Sequence, residues 1–551
     1  MSKKILTAAL PAAMLFSACS HAASGSTANT ANPRPKAVIP ETDIFKGEIN
    51  MQTYPLSGEK ITLEYWYPMS DAMGTIRDFN ESEFFRWMEE KTNIHIEFIV
   101  PAKGEEASSL RNLFTTDQLP DIMYTYPATH SYRGGMDAAI DDGYILDLSD
   151  YIGLMPNYVS WLNSVPAAKK SVFTDAGRMY GFWGFWDNIE SGYADLGISI
   201  RKDFLDQVGE DIPETYDDWE RVLTKFRDEL KIEAPLYTSK YGIDTGEFMA
   251  GYGIAPYFYQ KDGTVMYGPM QDAYKDYLGM LHDWYEKGLL DPDFTSRKST
   301  GIGADDNMIL NDRIGALIDW GTHMTDAYVS RGASNREFMA VACPQPKKDA
   351  DAEDPAWRAV GNNYNDMQSI CLMISAKSRH IEEAIRWVDS FYAEDVYLNA
   401  NYGIDSEEGT VWYRAEDGHR IGNFDFRYAN PDGLDSLTVA AKYWAKNPPV
   451  RVEAAQIEQM PADRAASYKV WSQYPADNYI PVSVTMTSEE TAEYAPLYTD
   501  IETFVQENNV KFIKGEKSLD EYDAYREQLK GMGIEKCISL RQAALDRYNG
   551  R

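Results

Sequence analysis

The sequence has little cysteine, few histidines and no long apolar segment after its first residues. Only 4 of the 551 residues are cysteine, and no CxxC pair occurs. No later stretch reaches the roughly eighteen apolar residues that a membrane-spanning helix needs. A polytopic membrane protein therefore does not fit. Cys343 and Cys371 lie in apolar, strand-like runs and Cys537 lies in the last helical segment. All three are predicted to be buried free thiols, although a bridge between Cys343 and Cys371 stays open.

The chain also lacks the short motifs of several enzyme classes. It contains no HExxH, GxSxG, P-loop or GxGxxG sequence, so zincins, α/β-hydrolases, P-loop NTPases and dinucleotide enzymes lack their minimal geometry. The seven histidines are scattered without metal-ligand spacing. A glycosidase needs only two suitably placed carboxylates, so a carbohydrate-active enzyme stays open as an alternative. We predict no enzymatic activity, no cofactor and no bound metal.

Basic residues are few relative to acidic ones. Lysine and arginine total 53 against 86 aspartates and glutamates, which gives a formal charge of -33. Such a charge repels nucleic-acid phosphates and anionic lipid surfaces, so we predict no nucleic-acid partner. The 37 tyrosines and 13 tryptophans far outnumber the 21 phenylalanines. Amphipathic aromatics are suited to a wet groove, which indicates a sugar or peptide ligand.

The N-terminus carries an export signal. Lys3 and Lys4 precede an apolar run from Ile5 to Phe16, which is too short to span a bilayer. Ser17 and Ala18 stand directly before Cys19, as in a bacterial lipobox, so residues 1–18 are predicted to be a signal peptide and Cys19 the acylated (palmitate-carrying) first residue. The alternative is ordinary secretory cleavage after Ala22. Residues 19–55 are rich in small residues and proline at their start, and are predicted to form a lipid-anchored flexible tether.

The body of the chain alternates strand and helix patterns. Strands are predicted at Ile61 to Trp66, Ile94 to Val100 and Leu119 to Tyr124, with amphipathic helices between them. This βαβαβ order predicts a parallel sheet with right-handed crossovers and an α/β fold class. Later helices are predicted after Thr215, from Tyr274 to Tyr285, from Ile381 to Phe391, and from Ser518 to Gly531.

The order of these pieces resembles the extracytoplasmic solute-binding lipoproteins of bacterial ABC transporters, specifically the family 1 LplA type associated with oligosaccharide import. The similar segments cover nearly the whole mature chain and are Phe84 to Ile99, Asp117 to Ile122, Ile200 to Trp219, Tyr257 to Gly268, Trp284 to Phe294, Tyr402 to Trp412 and Phe512 to Tyr548. The resemblance implies a two-lobe periplasmic-binding-protein-like fold of type II with the ligand cleft between the lobes. It further implies a discontinuous lobe 1 of 56–190 and about 368–480, and a lobe 2 of about 191–367 and 481–551 with C-terminal helices.

Candidate ligand contacts follow from this fold. In open α/β sheets ligands bind beyond the carboxyl ends of the strands, and a sugar needs flat aromatic rings together with carboxylates or amides. The predicted ligand-binding residues are Trp66, Tyr67, Asp71, Tyr126, His130, Trp183, Trp186, Asp187, Asn188, Tyr257, Trp320, Asn363 and Tyr364. The alternative for the segment around Trp183 is a buried strand followed by a turn.

Two further possibilities concern charge and calcium. Arg133 or Arg201 could clamp the carboxylate of an acidic sugar, although Arg201 could instead pair with neighbouring acids. Some relatives carry an EF-hand-like calcium loop, but Arg227 to Pro235 replaces it here, so calcium is not expected.

The resemblance implies a function and a location. The protein is expected to be a monomeric receptor, anchored by its lipid to the outer face of the bacterial cell membrane. It is expected to capture an oligosaccharide and to deliver it to ABC permease subunits. The possible arginine clamp extends the expected ligands to oligosaccharides that contain uronic acids. The alternatives are a secreted carbohydrate-active enzyme and a lipoprotein of the same fold that binds a peptide or signalling ligand.

Overall fold

The computed structural model describes residues 51–72, 76–126, 132–187, 196–238, 243, 246, 248–297, 306–319, 335, 337–357, 367–428, 434, 436–475, 478–481 and 483–551. The predicted signal peptide, Cys19 and most of the predicted tether lie outside these residues. Within the described ranges, no helix is both long enough and apolar enough to cross a membrane.

The described part of the chain contains strands and helices in alternation. The strands are β1 Ile61–Trp66, β2 Ile94–Ile99, β3 Ile122–Thr125, β4 Phe182–Trp186, β5 Gly197–Arg201, β6 Ala234–Leu236, β7 Phe258–Lys261, β8 Thr264–Tyr267, β9 Ile314–Asp319, β10 Ala340–Ala342, β11 Met367–Ile374, β12 Trp412–Arg414, β13 Arg420–Gly422 and β14 Val450–Arg451. The helices are α1 Glu83–Thr92, α2 Glu106–Thr116, α3 Gly135–Asp141, α4 Pro156–Ser164, α5 Pro166–Val172, α6 Lys202–Val208, α7 Tyr216–Asp228, α8 Asp272–Glu286, α9 Asp306–Leu310, α10 Ile381–Ser390, α11 Glu394–Tyr402, α12 Phe424–Tyr428, α13 Ser436–Tyr443, α14 Glu453–Glu458, α15 Ala462–Ser472, α16 Ser488–Ile513, α17 Tyr522–Gly531 and α18 Ile534–Asn549.

A six-stranded sheet forms the first lobe. Its order is β14-β4-β11-β3-β1-β2. Strand β1 pairs in parallel with both β2 and β3, which confirms the predicted βαβαβ opening. Strand β11 lies antiparallel between β3 and β4, and β14 is parallel to β4. The α/β fold class is therefore confirmed, with one antiparallel strand returning from late in the chain.

A four-stranded sheet forms the second lobe. Its order is β10-β5-β9-β6. Strand β5 is antiparallel to both β9 and β10, whereas β6 is parallel to β9. Three of the four strands therefore run in one direction, with β5 opposing them. The predicted capping boxes at Thr215 and Ser518 are present, since each hydroxyl accepts from a backbone N–H near the start of its helical segment.

Each sheet has its own hydrophobic core. The core of lobe 1 contains Leu63, Tyr124, Trp183 and Trp387, and the core of lobe 2 contains Trp219, Trp284 and buried faces of the C-terminal helices. Cys371 lies in the first core and Cys343 in the second, and both are free and buried together with Cys537. The buried free thiols are thus confirmed. The predicted lobe boundaries stay a prediction.

A small hydrophobic cluster lies where the chain passes between the lobes, and we call it the hinge cluster. It consists of Trp186, Ala342, Met460, Tyr468 and Trp471. These residues come from the ends of β4 and β10 and from the segment that ends in α15. The indole N–H of Trp471 donates to the carbonyl of Ile198 at 3.2 Å. A Cβ atom at residue 197 would lie only 2.4 Å from the Trp471 ring, so only glycine fits at the start of β5.

Replacing Gly197 by alanine is expected to destabilise the protein. The added methyl group must displace the Trp471 ring, and overpacking of this kind costs about 1–3 kcal/mol. The measurement is the melting temperature of Gly197→Ala. Gly531→Ala is the matched control, because a Cβ there meets nothing within 4 Å and its φ is not positive. Equal melting temperatures for the two variants would contradict the close packing.

The first described residues are fastened to lobe 1. The Gln52 side chain donates to Asp389 Oδ2 at 2.6 Å, and Asp389 also accepts from Asn157 Nδ2 and the Tyr158 N–H, both at 2.8 Å. The Lys91 ammonium lies 3.9 Å from the centre of the Tyr54 ring. Burial raises the pKa of Asp389 from 3.8 to about 7, although its hydrogen bonds oppose the shift.

This buried carboxyl predicts a pH dependence of stability. A carboxyl whose pKa is raised in the folded state stabilises the fold fully below its unfolded pKa, and this contribution is lost as the pH rises through about 7. The slope from one such group is at most about 1.4 kcal/mol per pH unit. As the pH rises from 4 to 8, the melting temperature of Asp389→Asn is expected to fall less than that of the unmodified protein. Parallel curves would show that Asp389 does not titrate in this range.

Candidate ligand site

One edge of the lobe 1 sheet collects the carboxyl ends of five strands. Strands β1, β2, β3, β4 and β14 run in the same direction, so the residues after them meet at one edge, beside the start of β11. The connection from β4 to β5 leaves from this edge and arrives at the start of β5 in lobe 2. Since β5 opposes its neighbours, its start lies beside the carboxyl ends of β9 and β10. The two edges therefore lie on the side where the chain crosses between the lobes.

Tyr126 is an exposed aromatic ring at this edge. It follows β3 and is 45% exposed. Its hydroxyl forms a 2.8 Å hydrogen bond with the Tyr124 hydroxyl and accepts from Asn447 Nδ2 at 3.2 Å. The Tyr124 and Tyr126 rings meet edge to face, with centroids 5.1 Å apart. These contacts fix the orientation of the Tyr126 ring.

Asn447 and Arg451 complete the polar cluster around Tyr126. The Tyr124 hydroxyl donates to the Asn447 carbonyl at 3.0 Å, and Arg451 Nη2 donates to Asn447 Oδ1 at 2.9 Å. The Arg451 guanidinium lies 5.4 Å from the centre of the Trp186 ring. Asn447 has a φ of 50°, a left-handed conformation that asparagine tolerates better than most residues. Burial raises the pKa of Tyr124 well above its usual value, which keeps its hydroxyl protonated.

A small cavity adjoins this cluster. Its volume is about 130 Å³, and Arg451, Asn447, Lys446 and Arg427 line it together with the amides of Asn401, Gln456 and Gln459. Among the described lining residues there is no carboxylate. Amide and cationic groups of this kind can hydrogen-bond sugar hydroxyls or a carboxylate.

Four predicted aromatic contacts are buried. Trp66, Tyr67, Trp183 and Trp186 are each 2% exposed or less. Every residue of β4 is buried, because this strand lies between β14 and β11. The Tyr67 hydroxyl donates to the Lys446 carbonyl, and Trp186 belongs to the hinge cluster. The structure thus shows packing for these rings, as in the buried-strand alternative, and ligand contact by them stays a prediction.

The other described predictions fall in different places. Asp187 is exposed at the sheet edge, where its Oδ1 accepts from the Glu453 N–H at 2.8 Å. Tyr257 packs against the lobe 2 core and lies within 3.5 Å of Gln506 Nε2. Asp71 lies in a short 3-10 helix, Ser70–Ala72, and its side chain is outside the described part. The predicted contacts His130, Asn188, Trp320, Asn363 and Tyr364 lie outside the described residues.

Sequence reasoning missed Asn447 and Arg451. Asn447 precedes, and Arg451 ends, a strand of only two residues, β14, which follows Pro448 and Pro449. Because proline cannot donate a ladder hydrogen bond, Pro448 and Pro449 argue against a strand, and the sequence pattern did not predict that this segment joins the sheet. The alternation of Val450, Arg451 and Val452 was the available signal.

Arg201 is not accessible to a ligand. Its side chain is fully buried and donates to Asp203 at 2.8 and 2.6 Å and to Asp312 at 2.6 Å. Its guanidinium also lies 3.8 Å from the centre of the Phe204 ring. The pairing alternative for Arg201 is therefore confirmed. Arg133, by contrast, is exposed.

Residues 69–397 match the sequence profile of a family described as bacterial extracellular solute-binding protein. The chain belongs to this family. The matched range takes in most of the lobe 1 sheet and all of the lobe 2 sheet, including Tyr126 and Asp187. Strands β1 and β14, with Asn447 and Arg451, lie outside the matched range.

Individual relatives of this solute-binding protein are distant but match over long ranges. The fructooligosaccharide ABC transporter substrate-binding protein FusA of Streptococcus pneumoniae is 22% identical over 90% of this chain and 92% of its own length. The polygalacturonan/rhamnogalacturonan-binding protein YtcQ of Bacillus subtilis is 21% identical over 60% of this chain and 63% of its own. The crystal structure of the alginate-binding protein AlgQ2 superposes with a TM-score of 0.69 at 17% identity, covering 89% of this chain and 99% of that one. The predicted two-lobe fold is confirmed.

The segment expected to replace a calcium loop does not fit a calcium ion. Arg227 to Pro235 spans the end of α7 and the start of β6. The Arg227 guanidinium pairs with Asp228 at 2.7 Å, and Arg313 pairs with Glu233 at 2.6 and 2.7 Å. Within the described ranges, no group of three or more histidine, cysteine or acidic side chains could hold a metal. Carboxylates already engaged by guanidinium groups make a poor calcium site.

Proposed function

We propose that this protein is the receptor of an ABC importer, which captures an oligosaccharide between its two lobes and delivers it to the permease. The observation that carries the proposal is the fixed, exposed ring of Tyr126 beside the polar groups of Asn447 and Arg451. A sugar ring presents apolar C–H faces and paired hydroxyl groups, so an oriented aromatic ring next to amide and guanidinium donors suits it. The names of FusA, YtcQ and AlgQ2 support the same class of ligand.

The proposed mechanism is ligand-driven closure without turnover. A ligand that touches both sheet edges shifts the equilibrium between open and closed forms only by its greater affinity for the closed form. The hinge cluster lies beside the crossing, where it can support such a motion. The closed lobes then present the ligand to the permease. The family's extracellular description agrees with the export signal, and we further propose a lipid anchor at Cys19 and a monomeric receptor.

The charge of the ligand is a finer part of the proposal. Arg451, Lys446 and Arg427 line the small cavity beside Tyr126, and Arg133 is exposed shortly after β3. Guanidinium groups bind carboxylates in a bidentate manner, so these side chains favour a sugar chain that contains a uronic acid. YtcQ and AlgQ2 are named for acidic polysaccharides and FusA for a neutral one.

The direct test uses the soluble chain from Ser24 onward. Its melting temperature is measured against neutral fructooligosaccharides and against oligogalacturonides, with chromatography of the sugars in parallel. A ligand at 100 times its dissociation constant adds about 2.7 kcal/mol of stability, so an upward shift with intact sugar is expected. Cleaved sugar would favour the carbohydrate-active enzyme, and no shift with any sugar would favour a peptide or signalling ligand.

Removing the exposed ring at the sheet edge is expected to weaken sugar binding. Tyr126→Ala loses the stacking surface and the contact with Asn447, and we expect the dissociation constant to rise about tenfold, or about 1.4 kcal/mol. Isothermal titration calorimetry with the sugar identified above is the measurement. Met339→Ala is the control, because Met339 is 47% exposed and precedes β10, at the end of that strand opposite its carboxyl end beside the start of β5. An equal loss in both variants would remove Tyr126 from the site.

A further inference from the structure

A second, larger cavity lies in lobe 1, and we call it the lateral groove. Its volume is about 900 Å³. Its walls include Gln52 of the N-terminal segment, Glu394 and Leu398 of α11, Arg414 of β12 and Ala454 of α14. Its described lining residues come from the N-terminal segment 51–54 and from the segments that build lobe 1, and none comes from the lobe 2 sheet. The groove therefore shares only Asp187 with the interlobe edge described above.

The lateral groove meets the candidate site at Asp187. Asp187 follows β4 at the sheet edge and also lines the groove. Its N–H donates to the Arg451 carbonyl at 3.0 Å, and its carboxylate caps α14 through the Glu453 N–H. Arg451 is the residue that bonds Asn447 beside Tyr126. Asp187 of the groove is therefore linked to the Tyr126 ring through Arg451 and Asn447 by three successive hydrogen bonds.

The size of the groove suits more than one sugar ring. Small-molecule sites usually measure about 300–1,000 Å³ and enclose a drug-sized ligand. At about 900 Å³, the lateral groove lies near the top of that range. A single sugar ring is smaller than a drug-sized molecule, so the groove has room for several units of a chain.

The lining of the groove mixes apolar and charged side chains, and its charged groups carry a net negative charge. Four carboxylates line it, from Asp187, Glu394, Asp395 and Asp405, against the two guanidinium groups of Arg414 and Arg420. Carboxylates accept hydrogen bonds from sugar hydroxyls, and guanidinium groups donate hydrogen bonds to sugar hydroxyls. The groove can therefore bind a hydroxyl group both as a donor and as an acceptor. The excess of carboxylates repels uronate groups. The groove thus suits neutral sugar units.

The exposed acid at the start of α11 is available to a ligand. Glu394 is exposed and forms no ion pair with the described residues, whereas Asp395 pairs with Lys91 at 2.7 Å and Asp405 with Arg420 at 2.7 Å. Asp395 and Asp405 therefore hold the walls in place. Glu394 is left as the acceptor that a hydroxyl can reach.

We propose that the lateral groove is a second carbohydrate-binding site, which takes neutral sugar units of an oligosaccharide that extends out of the interlobe cleft past Asp187. This inference rests on the proposed function, since it requires that the cleft bind a glycan. According to this inference, the preference of the protein for longer oligosaccharides comes from lobe 1 alone. Short sugars fill the cleft, and longer neutral ones also fill the groove.

A blocking variant tests the groove without disturbing a core. Ala454 is exposed on α14 and lines the groove, so Ala454→Trp fills it. Ala524→Trp is the matched control, because Ala524 is exposed on α17 in lobe 2. The dissociation constants of the soluble chain and both variants are measured for fructooligosaccharides and oligogalacturonides of two to eight units, with the melting temperature as a check on folding.

The expected result depends on chain length. For the unmodified protein and Ala524→Trp, affinity for the neutral series rises with length, whereas Ala454→Trp binds the shortest bound sugar normally and the longest about tenfold more weakly. Affinity that is independent of length, or a loss in Ala454→Trp that is equal for short and long sugars, would overturn the inference and leave the proposed function standing. No binding of either series at any length would overturn the proposed function and this inference together.

Discussion

The packing of Trp471 onto Gly197 joins the two lobes beside the crossing, together with the ion pairs that Arg547 and Arg551 form with Asp175. It brings a helix that follows β14 of lobe 1 against the first residue of lobe 2's central strand, while Trp186 and Ala342 close the same cluster from β4 and β10. Three distant parts of the chain are therefore held at one point beside the crossing. Because interiors are close-packed, a methyl group added at this point must be accommodated by residues from both lobes.

The candidate site is built from residues that are far apart in sequence. Tyr126 and Asn447 are separated by 321 positions, yet their side chains form one hydrogen bond. Strand β11 returns late in the chain to lie between β3 and β4, and β14 pairs with the other side of β4. Asn447 precedes β14 and reaches Tyr126 after β3, while Arg451 of β14 lies beside the end of β4. The site therefore forms only when the late part of the chain has joined the sheet.

The fold was more predictable from the sequence than the site. Strands β1 to β3, helices α1 and α7, and the capping boxes at Thr215 and Ser518 follow from local patterns, because periodicity and caps depend on neighbouring residues. Tyr126 and Asp187 were predicted from their position after strands, and both are exposed at the sheet edge. The tryptophans of β4 were also predicted as contacts, but their burial depends on whether β4 is flanked on both sides, which no local pattern reports. Asn447 was missed because its partners lie in other parts of the chain.

The attachment of Gln52 to Asp389 bears on how the molecule moves. The N-terminal segment leads from the proposed lipid anchor and is fastened to α10 of lobe 1 through Gln52, and Lys91 of α1 holds Tyr54 beside it. Under the proposed lipid anchor, a restraint from the membrane would reach lobe 1 first. Lobe 2, which is joined to lobe 1 through the hinge cluster and the Asp175 ion pairs, would then be the lobe that moves in the proposed closure. The receptor would thus keep its sugar-stacking surface stationary and move the opposite wall of the cleft onto it.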